Sequence, residues 1–383
     1  MKVLSWKRVS ACSDNLKSKI KNRKLVGIVA IVVALTVCGA RAESQQRTKM
    51  IMRAKSLAFS IFLLLCLSTK IFGAELEGER LHIGYSIYAG ITAPLWATKE
   101  AGLFERNGLQ AQLVYLRGGI EAAQALITGD IPFALMGGGA VIASNLAGSG
   151  SVILAGIENT VLFKLVTSKE IDSADKLRGK KLGVASLGGS TYLGTVRALQ
   201  HFGMKANDVT ILAIGGGPTR LAAIQSGSIQ GGVFLPPETL IAKKLGLNFL
   251  LDLGSLGVEF QNTVIAGGRN VVEKRPETVR KFIKALVEGI HAYKTDREFG
   301  LKVLRKYLKT NDQEVIQETY DFYSSKLAAK PYPTAKGMQV VLNDLASRNP
   351  KAKDAQTSQL VNLGFLKELE DAGYIDRLYN TSR

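Results

Sequence analysis

The sequence predicts an α/β protein of two similar lobes followed by a helical C-terminal segment. Three observations carry this: apolar strands alternate with amphipathic helices, the alternation is stated twice, and past residue 268 only helical periodicity remains. The repeat is plainest in ALITGDIPFALMGGG (125–139) and AIQSGSIQGGVFLPP (223–237), which start 98 residues apart. Each has an apolar helical run, a glycine followed by Asp or Ser, an Ile opening a short apolar strand, and small residues or prolines where that strand ends.

In chain order, the first unit reads as a strand at 81–86, a helix at 93–104, a strand at 111–116, a helix at 121–128 and a strand at 132–136. The second repeats the order at 181–185, 191–202, 209–214, 220–225 and 231–235. Five elements in one order at a nearly constant offset indicate an internal duplication. TVIAGG (263–268) reads as one more strand, and amphipathic helices follow at 276–293, 298–308 and 312–327. The chain then crosses between lobes twice, near 160–168 and near 261–268, as a two-strand hinge does. The expected divisions are a leader at 1–74, one lobe from 75–165 plus 264–383, and a second from 166–263.

Composition narrows the function classes. With 46% hydrophobic residues and a mean hydropathy of +0.10, the 383-residue chain has enough apolar surface for one large or two medium cores. A net charge of +18 suggests a nucleic-acid partner, but residues 1–74 hold 14 Lys/Arg against 2 Asp/Glu, which leaves only +6 for residues 75–383. The basic character belongs to the leader, and no nucleic-acid partner is expected. That leader has two short apolar runs, 25–38 and 57–67, each after basic residues in the manner of a secretory signal. Met50 and Met52 precede the second run, so 1–49 read as an over-long gene start, a periplasmic location is expected, and a membrane-anchored or lipid-linked form is the alternative. All three cysteines (Cys12, Cys38, Cys66) fall in the leader, so the segment from about residue 75 has no disulfide, thiolate nucleophile or cysteine metal site. No metal or cofactor is expected.

Candidate binding residues come from the strand ends, where open α/β sheets place ligands. Glycines 129 and 227 end helices and read as left-handed caps, without a ligand role. Glycines 137–139 and 215–217 instead follow strands, where a missing side chain lets a ligand approach the backbone and the next helix offers free N–H groups. SLGGST (186–191) is the strongest such stretch: Ser190 and Thr191 either cap the helix they open or bond a bound oxyanion. No lysine follows its glycines, so it is not a nucleotide loop. In the first unit the matching turn is SIYAGIT (86–92), where Tyr88 either lies over an organic ligand or packs on its own lobe; Trp96 reads as core. Arg117 and Arg220 flank glycine clusters, where each either pairs with an anionic group or, by default, stays a solvated side chain.

Taken together, PLWATKEAGLFERNGL, EAAQALITGDIPFALMGGG, LRGKKLGVASLGGST, GGGPTRLAAIQSGSI and VFLPPET resemble the periplasmic solute-binding proteins of ABC importers for nitrate, sulfonates and taurine, a group that includes binders of thiamine-pyrimidine precursors. The resemblance spans roughly 80–345. It implies a type II periplasmic-binding fold whose lobes close on a small anionic or zwitterionic solute, with an ABC permease and ATPase as partners and a monomeric state. By position it places at the cleft Ser86, Tyr88, Gly138, Gly139, Asn159, Ser186, Gly188, Gly189, Ser190, Thr191, Gly216, Gly217, Pro237 and Glu238. The carboxylate of Glu238 either receives a ligand amine or caps its helix.

Two other functions use this fold. The thiamine-pyrimidine synthases depend on a cysteine-rich motif with an active-site Lys and His, whereas here the cysteines sit in the leader and His82, His201 and His291 lie on a strand or on helices, away from glycine turns. A ligand sensor feeding a membrane kinase would use the same clam. Few arginines occupy the expected pocket, which favours a mono-anion or heterocycle over a doubly charged oxyanion.

Overall fold

The computed structural model describes residues 79–380 except 258, 347 and 348. The leader, with its apolar runs, its cysteines and the signal-like reading placed on it, lies outside the described residues.

Two five-stranded sheets organise the chain. The first forms from β1 (Glu79–Tyr85), β2 (Leu109–Tyr115), β3 (Phe133–Gly137), β4 (Val152–Thr160) and β10 (Glu259–Gly267), in the order β2-β1-β3-β10-β4. The second forms from β5 (Lys164–Thr167), β6 (Lys181–Val184), β7 (Thr210–Ala213), β8 (Gly231–Phe234) and β9 (Asn248–Asp252), in the order β7-β6-β8-β5-β9. In each, the three strands nearest one edge are parallel, as helical crossovers require, and a strand arriving from the other half pairs antiparallel with the third. The two orders superpose strand for strand, so the repeat seen in the letters is a repeat of topology.

Helices α1 (Ala93–Glu100), α2 (Leu103–Arg106), α3 (Gly119–Thr128) and α4 (Gly138–Leu146) belong to the first half, and α5 (Ser190–His201), α6 (Gly217–Gln225) and α7 (Glu238–Lys244) to the second. The helix expected at 93–104 is two helices, because Gly102 takes a left-handed φ of 65° between them. Glycines 129 and 227 (φ 82° and 75°) turn the chain out of α3 and α6 as expected. After β10 the chain is helical: α8 (Arg269–Lys274), α9 (Pro276–Thr295), α10 (Arg297–Leu308), α11 (Gln313–Lys326), α12 (Ala335–Ala346), α13 (Gly364–Asp371) and α14 (Tyr374–Asn380). Side chains stop these helices from merging: Asp296 accepts from the Phe299 N–H at 2.9 Å and Asp312 from the Val315 N–H at 3.2 Å.

The halves are joined where residues 161–163 connect β4 to β5 and where 253–258 connect β9 to β10. Both links are shorter than the crossings read from the sequence. The polar residues 261–263 lie inside β10, in the first sheet, and not at the far side of a boundary at 263/264. The strand read at 263–268 therefore starts earlier than expected, because buried Gln261 and Asn262 break its apolar run. Trp96, Phe104, Phe133 and Phe282 are fully buried in the first half's core, and a smaller cluster around Val166, Leu221, Ile224 and Phe234 serves the second.

Candidate functional site

Residues at the strand ends of both sheets line one cavity. Its walls come from both halves: the turn after β1, the starts of α3 and α4 and Asn262 on one side, and the 185–191 loop, the start of α6, Arg220 and Glu238 on the other. Phe163, in the first link, closes the hinge end.

The halves meet through glycine. A Cβ built on Gly118 would stand 3.2 Å from the Ser186 Cβ, one on Gly139 would stand 2.6 Å from Leu193 Cδ1, and one on Gly216 would stand 2.7 Å from the Tyr115 hydroxyl. A Cβ on Gly137 would run into Ser190 Oγ. Each contact joins opposite halves, so the glycine clusters let backbone come up to the other half. Polar contacts reinforce the approach. Ser190 Oγ donates to the Asn262 carbonyl at 3.1 Å, Tyr323 Oη donates to the Pro236 carbonyl at 3.1 Å, and Arg197 Nη2 reaches both Asp344 oxygens at 2.7 and 2.8 Å.

Of the residues expected at the cleft, Ser86, Tyr88, Ser186, Gly189, Ser190, Thr191, Gly216, Gly217 and Glu238 line the cavity. Tyr88 does so while its hydroxyl donates to the Tyr307 carbonyl and its ring stands edge-on to Trp96 and Tyr115, with centroids at 6.2 and 5.8 Å. Neither Ser190 nor Thr191 caps α5. Ser190 crosses to the other half, and Thr191 Oγ1 accepts the Ala185 N–H at 2.9 Å, closing its own loop. The Ser186 hydroxyl is buried without a hydrogen-bond partner.

The other five stand off the cavity. Gly138 backs onto the Gln261 carbonyl and Gly139 onto Leu193. Gly188 takes a φ of 80°, so its role is to turn the loop. Pro237 begins α7 behind Glu238. Asn159 donates Nδ2 to the Tyr332 carbonyl at 2.7 Å, on the far side of β4, because successive strand residues point to opposite faces. Its neighbour Glu158 takes the inward direction.

The largest departure from expectation is Arg220, which is 5% exposed instead of solvated. Its Nη1 donates to the Val233 carbonyl at 2.7 Å, its Nε donates to the Gly215 carbonyl at 3.1 Å, and its guanidinium lies over the Phe234 ring. Burial lowers its pKa to about 10, which leaves it charged at neutral pH. Glu238 is 3% exposed and is the first residue of α7. Burial pushes its carboxyl up to about 7, against a backbone N–H bond at its own residue and the attraction of Arg220. Both groups line one cavity, and each feels the other's charge.

A second buried carboxyl stands behind the wall. Glu158 Oε2 accepts from Asn262 Nδ2 at 2.7 Å and from Thr263 Oγ1 at 2.8 Å, while Oε1 has no partner. Burial pushes it up to about 7 as well, against those two bonds and Lys326. Sequence reading missed Glu158, Asn262 and the burial of Arg220. The available signal was polarity in the wrong place: Glu158 and Asn262 interrupt apolar strands, and Arg220 sits on the inward face of an apolar helix. His82 and His201 are exposed on β1 and at the end of α5, and His291 stands edge-on to Tyr379, all outside the cavity. Among the described residues, no group of three or more His, Cys, Asp or Glu is placed to hold a metal ion.

The family model described as "NMT1/THI5 like" matches residues 91–298, a stretch that includes every wall residue except those of the turn after β1. The chain belongs to the NMT1/THI5-like family. A protein of Brucella abortus (strain 2308) named as a binding protein is 27% identical over 245 residues, covering 61% of this chain and 74% of that one. The riboflavin-binding protein RibY of Chloroflexus aurantiacus is 22% identical over 257 residues, covering 62% and 71%. Among solved structures, the alkanesulfonate-binding protein SsuA from Xanthomonas axonopodis pv. citri, bound to MOPS, superposes with a TM-score of 0.63 over 75% of this chain and 99% of its own, at 16% identity. The fold of this NMT1/THI5-like chain is that of the periplasmic binding proteins, with its added helical C-terminal segment.

Proposed function

We propose that the protein is the solute-binding component of an ABC importer working outside the cytoplasm. It captures a small anionic or zwitterionic organic solute, sulfonate-, nitrate- or taurine-like or a heterocyclic precursor, between two closing lobes and presents it to a permease and its ATPase. The observation that carries this reading is the cavity walled by both halves, whose rims touch through glycines 118, 137, 139 and 216. A ligand that contacts both walls favours the closed arrangement by its differential affinity, and no covalent step is needed. Helices α5 and α6 turn their N-termini and Arg220 toward the cavity, a setting that favours negative charge. The two similar proteins, one named for binding riboflavin and one for binding an alkanesulfonate, span the heterocyclic and the oxyanionic alternatives.

A thermal-shift screen of the purified protein against sulfonates, nitrate, carboxylates and pyrimidines tests the reading. A true ligand at 100 times its Kd raises stability by about 2.7 kcal/mol. Gly189→Val and Ser190→Ala weaken binding and leave the ligand-free melting temperature near that of the parent. Unaltered affinity in both removes the 186–191 loop from the site.

A further inference from the structure

Strand β4 leads the chain into the first link between the halves, β10 receives it from the second, and Glu158 ties the two strands together. Thr263 on β10 stands opposite both Glu158 on β4 and Gly137 on β3, so the three share one face of the first sheet. The second half covers that face. A Cβ on Gly137 would run into Ser190 Oγ, and Ser190 donates to the carbonyl of Asn262, whose amide is bound to Glu158. From α11, Lys326 attracts the Glu158 charge, and Tyr323, which also feels it, donates to the Pro236 carbonyl of the second half. Helix α4 brings no titratable group to β4. The 330–332 stretch and α13 also flank that strand, but there Lys330 and Tyr332 bind Glu370, Lys367 binds Asp371 and Glu368 binds Arg280. The enclosure of Glu158 is thus built in part from contacts between halves.

With the halves in contact, burial pushes the Glu158 carboxyl up to about 7, against its two hydrogen bonds and Lys326. Parting the halves lifts Ser190 from the shared face and lets water reach it, and a rehydrated carboxyl returns toward its ordinary range. Resting on the two-jaw reading above, we propose that closure is proton-linked: the halves take up a proton on Glu158 as they close and give it up as they part. A group that holds its proton more tightly in the closed state favours closure fully at acid pH and loses that contribution as pH rises through about 7. Rising pH therefore opens the jaws, through a carboxyl that need not touch the solute. Glu238 is raised by burial as well, so the test separates the two.

Small-angle scattering of the ligand-free full chain between about pH 5.5 and 8 provides the test. The expected result is a radius that grows with pH as the closed-to-open ratio falls about tenfold or more, one pKa unit being worth a factor of ten. Glu158→Gln, uncharged at every pH, keeps the smaller radius throughout. Glu238→Gln still shows a radius that grows with pH, and in that variant Glu158 is, among the described residues, the carboxyl left with a raised pKa. Its infrared band for a protonated carboxyl should fade in step with the radius, which decides the matter even where Glu158→Gln folds poorly. A parent radius that ignores pH, a Glu158→Gln protein with the parent's full response, or a band in Glu238→Gln that fades while the radius stays fixed each overturns the inference and leaves the solute-binding reading standing. That reading is tested apart from it, by the thermal-shift screen. A screen without a stabilising solute at any pH counts against the two-jaw reading, and the proton linkage falls with it.

Discussion

The two halves share a frame and differ in what they place on it. Gly119 and Gly217 open equivalent helices 98 residues apart, and a Cβ on either would stand 2.6 Å from the residue that begins the facing turn. In the first half that residue is Ala140, and in the second it is Glu238. The same offset pairs buried Ala122 with buried Arg220. Where one half fills its core with two methyl groups, the other has buried a cation and an acid. The duplication therefore supplied one scaffold twice and buried charge once; on the solute-binding proposal, the half with Arg220 and Glu238 tolerates the cost of burying them because it reads the ligand.

Removing the cation strains this comparison most. Arg220→Ala strips the Val233 and Gly215 carbonyls of their donor and leaves Glu238 buried without its neighbouring charge, so stability falls by about 3–5 kcal/mol in urea melts and binding is lost. The double variant Arg220→Ala, Glu238→Ala recreates the first half's alanine pair. It should regain part of that stability while binding stays absent; if it binds ligand, the asymmetry between the halves has no functional content.

Glu158 gives the next largest effect. Its folded pKa of about 7 stands above that of an unfolded glutamate, so between about pH 4.5 and 7 the folded state holds the extra proton and stability falls as pH rises. Glu158→Gln abolishes this part of the fall and is more stable than the parent at pH 8 by about 3 kcal/mol, with little difference at pH 4.5. Glu238 adds a similar slope, modulated by Arg220, so the single variant flattens the profile without levelling it. Tyr323 and Lys326 also bear on Glu158, and burial holds the Tyr323 hydroxyl well above that window.

Gly139→Val asks whether the glycines serve closure. The new side chain meets Leu193 of the opposite half, so Kd rises about 30-fold, roughly 2 kcal/mol, with the ligand-free melting temperature nearly unchanged. Scattering with saturating ligand should then show a larger radius than the parent. The smallest effect belongs to the Arg197–Asp344 pair across the halves, each side chain 19% exposed. Arg197→Ala costs at most about 1 kcal/mol, and its effect on affinity fades as salt increases.

Most of the frame was legible in the sequence, because parallel strands buried on both faces and amphipathic helices leave periodic signatures. All ten repeat elements lie within a few residues of their expected places, apart from the helix that Gly102 divides. Side-chain direction was less legible. Asn159 sits one residue from Glu158, and strand alternation sends one outward to Tyr332 and the other inward to Asn262. Nor does local sequence show that Arg220 is buried, since the Val233 carbonyl that holds its Nη1 becomes a neighbour only when β8 pairs into its sheet. The glycines were recognised as special, but the structure gives several of them a partner across the cleft.

The anchoring of Arg220 also orders the events of capture. Its two carbonyl ties lie entirely within its own half, so the guanidinium is set before any encounter, whereas Ser190 and Asn262 come together only across the divide. On the solute-binding proposal, a newcomer would meet that prepared dock first, and the opposite jaw would come second to complete the enclosure.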